Sequence, residues 1–202
     1  MSNNRLNISL TVGSDLLSRF FPLLAKGFTL EAQTGCSVKD LLCSQIGIEE
    51  DYLEERIQTI FLNGKALDDL NAPVVQDGSV LSLSAAMPGL AGTTLRRGGH
   101  LAAMRMQISH EKGQTTCKRQ TGKMTLKLFN LTARDIGPFF LAQGIGVYET
   151  DLENILKYFE QDFKTGCRLA EVNDKKLTVD QLLQRDWKRN WVILKVSVDQ
   201  EG

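Results

Sequence analysis

Alternation of apolar and polar residues organises the first half of the chain. Residues 5–12 carry Leu, Ile, Leu and Val at every second position, the period of a half-buried strand. Ser37 is placed to cap a helix, with Asp40 completing an approximate capping box. The predicted elements are strands at 5–12, 28–32, 59–62 and 79–83, a short helix after Ser14, and a helix from Ser37 to Ile46.

A similar order of elements follows residue 100. Thr150 to Glu153 form a capping box in front of apolar residues at helical spacing. Thr178 and Gln181 predict a second cap, and Asn173-Asp174 predicts a turn. The predicted elements are strands at 104–108 and 124–128 with a polar hairpin loop at 111–122, a helix from 150 to 163, a strand at 168–172, a short helix after Thr178 and a strand at 192–198. Two interpretations stay open for this half, a divergent repeat of the first half and a distinct α+β domain.

The residues between the halves have the composition of a linker. Ala85 to Gly92 is rich in Ala and Gly, and Leu95-Arg96-Arg97-Gly98-Gly99 follows. We therefore expect an α+β protein of two domains, residues 1–92 and 100–202, joined by a linker at 93–99.

Composition narrows the function only broadly. The 202 residues carry 24 Lys plus Arg against 24 Asp plus Glu, so attraction to nucleic acid or an acidic membrane through global charge is excluded. No apolar stretch approaches the ~20 residues of a membrane span, and no signal-peptide core is present, so we expect a cytoplasmic protein. The four Cys have no C-x-x-C spacing, which predicts neither a disulfide framework nor a metal site.

Residues 5–92 resemble the ubiquitin-like β-grasp fold, and most of all the sulfur-carrier proteins of the MoaD/ThiS type. Three segments carry the resemblance, and their order and spacing match the family. They are Cys36 to Leu42 entering a helix, Ile60-Phe61-Leu62-Asn63-Gly64-Lys65 as strand and turn, and Val75 to Leu83 leading into Pro88-Gly89-Leu90-Ala91-Gly92.

The resemblance implies a carrier whose C-terminal glycine is adenylated by an activating enzyme and then receives sulfur. Here the match ends at Gly92 with 110 residues still to follow, and an internal amide carbonyl cannot be adenylated. Residues 95–99 are also similar to the Leu-Arg-Gly-Gly tail of ubiquitin. Gly92, Gly98 and Gly99 are therefore the candidates for processing or thiocarboxylate formation, and a plain flexible linker is the other interpretation.

A basic stretch begins in the same place. Residues 96–134 hold nine basic side chains and one acidic one, and Arg96, Arg97, Arg105, Lys118 and Arg119 are the candidates for partner binding. Only Phe129 interleaves with these charges, so we expect no nucleic-acid binding. The acidic first half, with eleven acidic and six basic residues in 1–95, is the better-matched partner for this stretch.

The sequence contains no strong motif for a catalytic, cofactor or metal site. Cys117 and His110 share the predicted hairpin region without a recognisable third residue, so we expect no catalytic site, no cofactor and no metal. Trp187 and Trp191 are interpreted as core or interface aromatics.

These observations predict a non-enzymatic, ubiquitin-like protein-binding module. The alternative is a sulfur carrier or protein modifier activated at a glycine exposed by proteolysis after Gly99 or Gly92, which would require an activating enzyme as partner. Because sheet edges can pair between chains, a homodimer is compatible with this fold.

Overall fold

The structure falls into two compact units, one of which is discontinuous in sequence. One, the terminal unit, combines Met1–Phe28 with Ala133–Gly202, and the other, the central unit, is Thr29–Thr132. The computed structural model describes residues 6–72, 74–85, 87, 89–101, 118–188 and 190–199. The predicted strand at 104–108 and most of the predicted hairpin loop lie outside the described residues.

The terminal unit contains five neighbouring strands of a mixed sheet, together with helices. Its strands are β1 (Leu6–Val12), β9 (Ile145–Tyr148), β10 (Cys167–Val172), β11 (Lys175–Leu177) and β12 (Trp191–Val198). Its helices are a 3₁₀ turn (Leu17–Phe20), α1 (Phe21–Lys26), α4 (Asn130–Gln143, whose first three residues belong to the central unit), α5 (Glu149–Tyr158), α6 (Glu160–Gly166) and α7 (Val179–Leu183).

The strand order in the terminal unit is β11-β10-β1-β12-β9. β1 and β12 are adjacent interior strands and run parallel, with Leu10 opposite Val196. Every other pair among these five strands is antiparallel. Alternate side chains of each strand point to opposite faces. One face is therefore buried, including Ile8, Leu10, Leu194 and Val196, and helix residues such as Leu152 and Phe163 complete the core.

The central unit contains five further neighbouring strands of mixed direction. Its elements are β2 (Phe28–Thr34), β3 (Cys36–Ser37), a π-helical segment (Asp40–Ile46), α2 (Glu50–Glu55), β4 (Thr59–Leu62), β5 (Lys65–Ala66), β6 (Val74–Val75), β7 (Val80–Ser84), α3 (Gly89–Leu95) and β8 (Gln120–Phe129). The strand order is β2-β8-β7-β4-β5, and β7 and β8 run parallel with Leu81 opposite Leu126. A separate small ladder joins β3 and β6.

The two sets of five strands share one arrangement. Each has a parallel middle pair, a single strand on one side (β2 or β9) and an antiparallel hairpin on the other (β4–β5 or β10–β11). Tight turns close both hairpins, with positive φ at Asn63 and Gly64 and at Asn173 and Asp174. The predicted α+β class is confirmed.

The compact units do not divide at the predicted linker, residues 93–99. They divide at 28/29 and 132/133 because β1, from the predicted first domain, forms its ladders with β10 and β12. Likewise β8, from the predicted second domain, pairs with β7. Part of the predicted linker is helical, since α3 spans Gly89–Leu95.

Local capping was predicted well in two places and wrongly in a third. The Asp40 amide donates to Ser37 Oγ at 3.1 Å, and the capping box of Thr178 and Gln181 is present. The helix predicted from 150 to 163 instead begins at Glu149, so Thr150 lies inside it, and it is interrupted at Phe159 between α5 and α6.

Candidate binding surface

The glycine segment is part of the packed central unit. Gly92 lies in α3, is buried, and its carbonyl accepts a hydrogen bond from the Arg96 amide at 3.0 Å. A Cβ at this position would lie 1.7 Å from the Met87 carbonyl oxygen, so only glycine fits the close approach.

Arg97 holds the segment against the C-terminal end of α2. Its side chain is 11% exposed, and its Nη2 donates to a Glu54 carboxylate oxygen at 2.5 Å and to the carbonyls of Leu53 and Glu54 at 3.4 Å each. The Arg97 amide also donates to the carbonyl of Gln58 at 2.8 Å. A cation on the last carbonyls of a helix satisfies groups that the helix itself leaves unpaired.

Gly98 and Gly99 are tied down next to Arg97. The Gly98 amide donates to a carboxylate oxygen of Asp68 at 2.9 Å, and the Gly99 amide donates to the Arg96 carbonyl at 3.1 Å. A polar surface cavity of 330 Å³ lies beside the segment, lined by Glu54, Glu55, Gln58, Arg96 and Arg97.

The other basic residues predicted to bind a partner do not lie in this segment. Arg119 pairs with Asp40 at 3.1 Å, and Lys118 is exposed with its carbonyl packed against Gly35. Arg105 lies outside the described residues. Arg97 and Arg119 of the basic stretch thus each pair with an acidic residue of the first half, Glu54 and Asp40.

The described cysteines have weakly acidic thiols. Burial, followed by the charge of Asp40, raises the pKa of Cys36, and burial raises the pKa of Cys167. Burial and then the charge of Glu50 raise the pKa of Cys43. A nucleophilic cysteine needs the opposite shift, because the thiolate is the reactive form. Cys117 and His110 lie outside the described residues, and the described ones contain no cluster of three or more metal-ligating side chains.

An aromatic pair that the sequence did not single out as a site is exposed on the terminal unit. Tyr148 ends β9 and Trp191 begins β12, and the two residues face each other across the ladder. Their rings are in contact, with centroids 4.1 Å apart and planes tilted by 38°, and the residues are 45% and 44% exposed. Trp191 is therefore not a core residue, which corrects one of the two interpretations made from the sequence. The strand alternation that buries Val192 turns Trp191 to the opposite face.

A buried carboxylate fixes the backbone beside this pair. Glu149 is 2% exposed, accepts the Lys188 amide at 2.9 Å, and lies 3.9 Å from Arg185 Nη2. The Glu149 amide donates to the carbonyl of Asn190 at 2.9 Å. The residues next to Tyr148 and Trp191 are thus joined to each other, which holds the two rings in place.

The aromatic pair belongs to the face of the terminal unit's sheet that is opposite its apolar core. On β12 this face carries Trp191, Ile193, Lys195 and Ser197, none of which is buried. The sequence contains the necessary signal, since the apolar residues 192, 194 and 196 set the phase of the strand. What it does not reveal is that Tyr148 lies opposite Trp191, because that contact joins residues 43 apart.

Comparisons with known proteins do not supply a family. No family model, no curated protein and no solved structure matches the chain. Among the described residues, no helix is both long and apolar enough to cross a bilayer.

Proposed function

We propose that this chain is a non-enzymatic protein-binding module, and that the Tyr148–Trp191 pair is the centre of its binding surface. The observation that carries the proposal is the contact of two half-exposed aromatic rings across a β-ladder. Tyr and Trp are enriched among the residues that dominate binding energy at protein interfaces. Because the rings are already held in place, a partner would bury them with little loss of side-chain entropy.

The proposal extends to the fold. A ubiquitin-like β-grasp has a parallel middle pair of strands, a helix on one face and an open face on the other. The strand order of both units supports assigning them as variants of that fold. The departure is in the connections: among the described residues β7 and β8 are successive strands, whereas β1 and β12 come from the two ends of the chain.

The partner is a protein that presents an apolar side chain to the aromatic pair. Lys188 and Lys195, both exposed, lie in the segment before Trp191 and on the same strand after it. Apolar contact at the centre with charged groups around it is the usual anatomy of a protein interface.

The sulfur-carrier or modifier hypothesis would require cleavage after Gly99 or Gly92. A product ending at Gly99 would lose β8, the parallel partner of β7 in the central unit. Cleavage would also leave β1 on one fragment and its two partner strands, β10 and β12, on the other. These pairings favour the uncut chain as the working form.

Site-specific photo-crosslinking in the native cells tests the proposal. p-Benzoylphenylalanine at position 191 should give a dominant covalent adduct with one protein, and that adduct should disappear when Tyr148→Ala is added. Position 158 is the matched control, because Tyr158 is an aromatic residue of the same unit and is 81% exposed. The same adducts from both positions, or none from position 191, would overturn the assignment of this surface.

A further inference from the structure

We infer that the aromatic surface takes an extended, acidic segment of the partner; this inference rests on the proposed function and specifies the chemistry of the same site. The charged groups that flank Tyr148 and Trp191 carry the argument. They come from the residues before β12 and from β12 itself.

One acidic group that contacts this flanking segment is already engaged by it. Glu149 is buried, accepts the Lys188 amide, and faces the Arg185 guanidinium at 3.9 Å. A partner therefore meets the positive groups of the segment more readily than the Glu149 carboxylate.

Arg185 adds a partly exposed guanidinium to this segment. Its side chain is 30% exposed, and the guanidinium lies 5.8 Å from the centre of the Trp187 ring. A guanidinium stacked near an aromatic ring presents a planar set of donors that suits a carboxylate.

Exposed lysines continue the positive charge on both sides of the pair. Lys188 precedes Trp191 by three residues, and Lys195 lies two positions along the same face of β12. Asp186 is the exposed acidic residue in the flanking segment. On the same sheet face, Glu171 of β10 lies directly opposite Lys176 of β11, a cross-strand position at which opposite charges attract.

The distance between Trp191 and Lys195 indicates an extended conformation for the bound segment of the partner. Lys195 lies four positions after Trp191 on the same strand, which corresponds to about 13 Å at the usual rise per residue of a β-strand. An extended segment with an apolar residue on the aromatic pair and an Asp or Glu about four residues away would reach both.

A library of random 12-residue peptides displayed on phage tests this inference on the full-length chain. Selection against the wild type, with Trp191→Ala as the counter-selection, should enrich peptides that combine an apolar residue with two or more Asp or Glu. A synthetic peptide from that pool should bind about tenfold more weakly to the Lys188→Gln/Lys195→Gln variant. Lys157→Gln is the control, since Lys157 is an exposed lysine on α5 of the same unit, and it should leave binding unchanged.

The outcomes separate the two proposals. Trp191-dependent peptides without acidic enrichment would overturn the acidic partner and leave the protein-binding surface intact. No Trp191-dependent enrichment would overturn the linear segment, whereas only the crosslinking result at position 191 decides the surface itself. Tighter binding of a random 12-nucleotide single-stranded DNA pool than of any peptide would overturn the inference and assign a nucleic-acid partner.

Discussion

At the scale of single residues, two glycines show two different reasons for having no side chain. At both positions the backbone conformation favours glycine, and at one of them a neighbouring main-chain atom also leaves no room for a Cβ. Gly35 and Gly47 both have positive φ, +80° and +89°. A Cβ at Gly35 would lie 2.5 Å from the Lys118 carbonyl oxygen, whereas a Cβ at Gly47 would meet nothing within 4 Å. The pair thus isolates the cost of a steric overlap.

We expect Gly47→Ala to lower the free energy of unfolding by about 1 kcal/mol, the cost of a left-handed L-residue. Gly35→Ala should cost a further ~1–3 kcal/mol, because main-chain atoms of Lys118 must move. Urea denaturation of the two variants measures the difference. Equal losses would contradict the packing of residue 118 against Gly35.

At the scale of secondary-structure elements, alternation in sequence predicted strands well where one face is buried. β1, β4, β7, β10 and β12 all lie where the pattern placed them. The sequence missed α4 and β9. Pro138 interrupts the helical pattern of α4, and three of the four residues of β9 are buried, so β9 does not alternate.

Two threonines offer a matched test of helix capping. Thr178 Oγ1 accepts the Gln181 amide at 3.1 Å, so Thr178→Ala should cost about 1 kcal/mol. Thr150 was predicted to cap a helix but lies within α5, so Thr150→Ala should change stability by less than about 0.5 kcal/mol. Thermal or urea unfolding of both variants provides the comparison. A larger loss at Thr150 would restore the cap predicted from the sequence.

At the scale of the whole molecule, the sequence predicted the α+β class and a similar order of elements in two halves, but not which strands pair. The parallel pairs β1–β12 and β7–β8 join residues far apart in the chain. Local periodicity holds no information on such pairing, so a glycine-rich stretch was taken for a domain boundary. The binding surface was missed for the same reason, since Tyr148 and Trp191 meet only across a ladder.

Two fragments of nearly equal length test the division into units. Residues 29–132 retain all the strands of the central sheet except one residue of β2, so this fragment should unfold cooperatively in urea. Residues 1–99 lack β8, and we expect no cooperative transition for them. Cooperative unfolding of 1–99 but not of 29–132 would contradict the division at 28/29 and 132/133.

The most direct test of the central claim is the affinity of the full-length chain for the protein crosslinked at position 191. Calorimetry should show at least tenfold weaker binding for Trp191→Ala, the loss of a dominant interface aromatic. Tyr158→Ala, which removes an exposed aromatic from α5 of the same unit, should bind as the wild type does. Unchanged affinity for Trp191→Ala, or an equal loss for Tyr158→Ala, would contradict the Tyr148–Trp191 surface as the binding site.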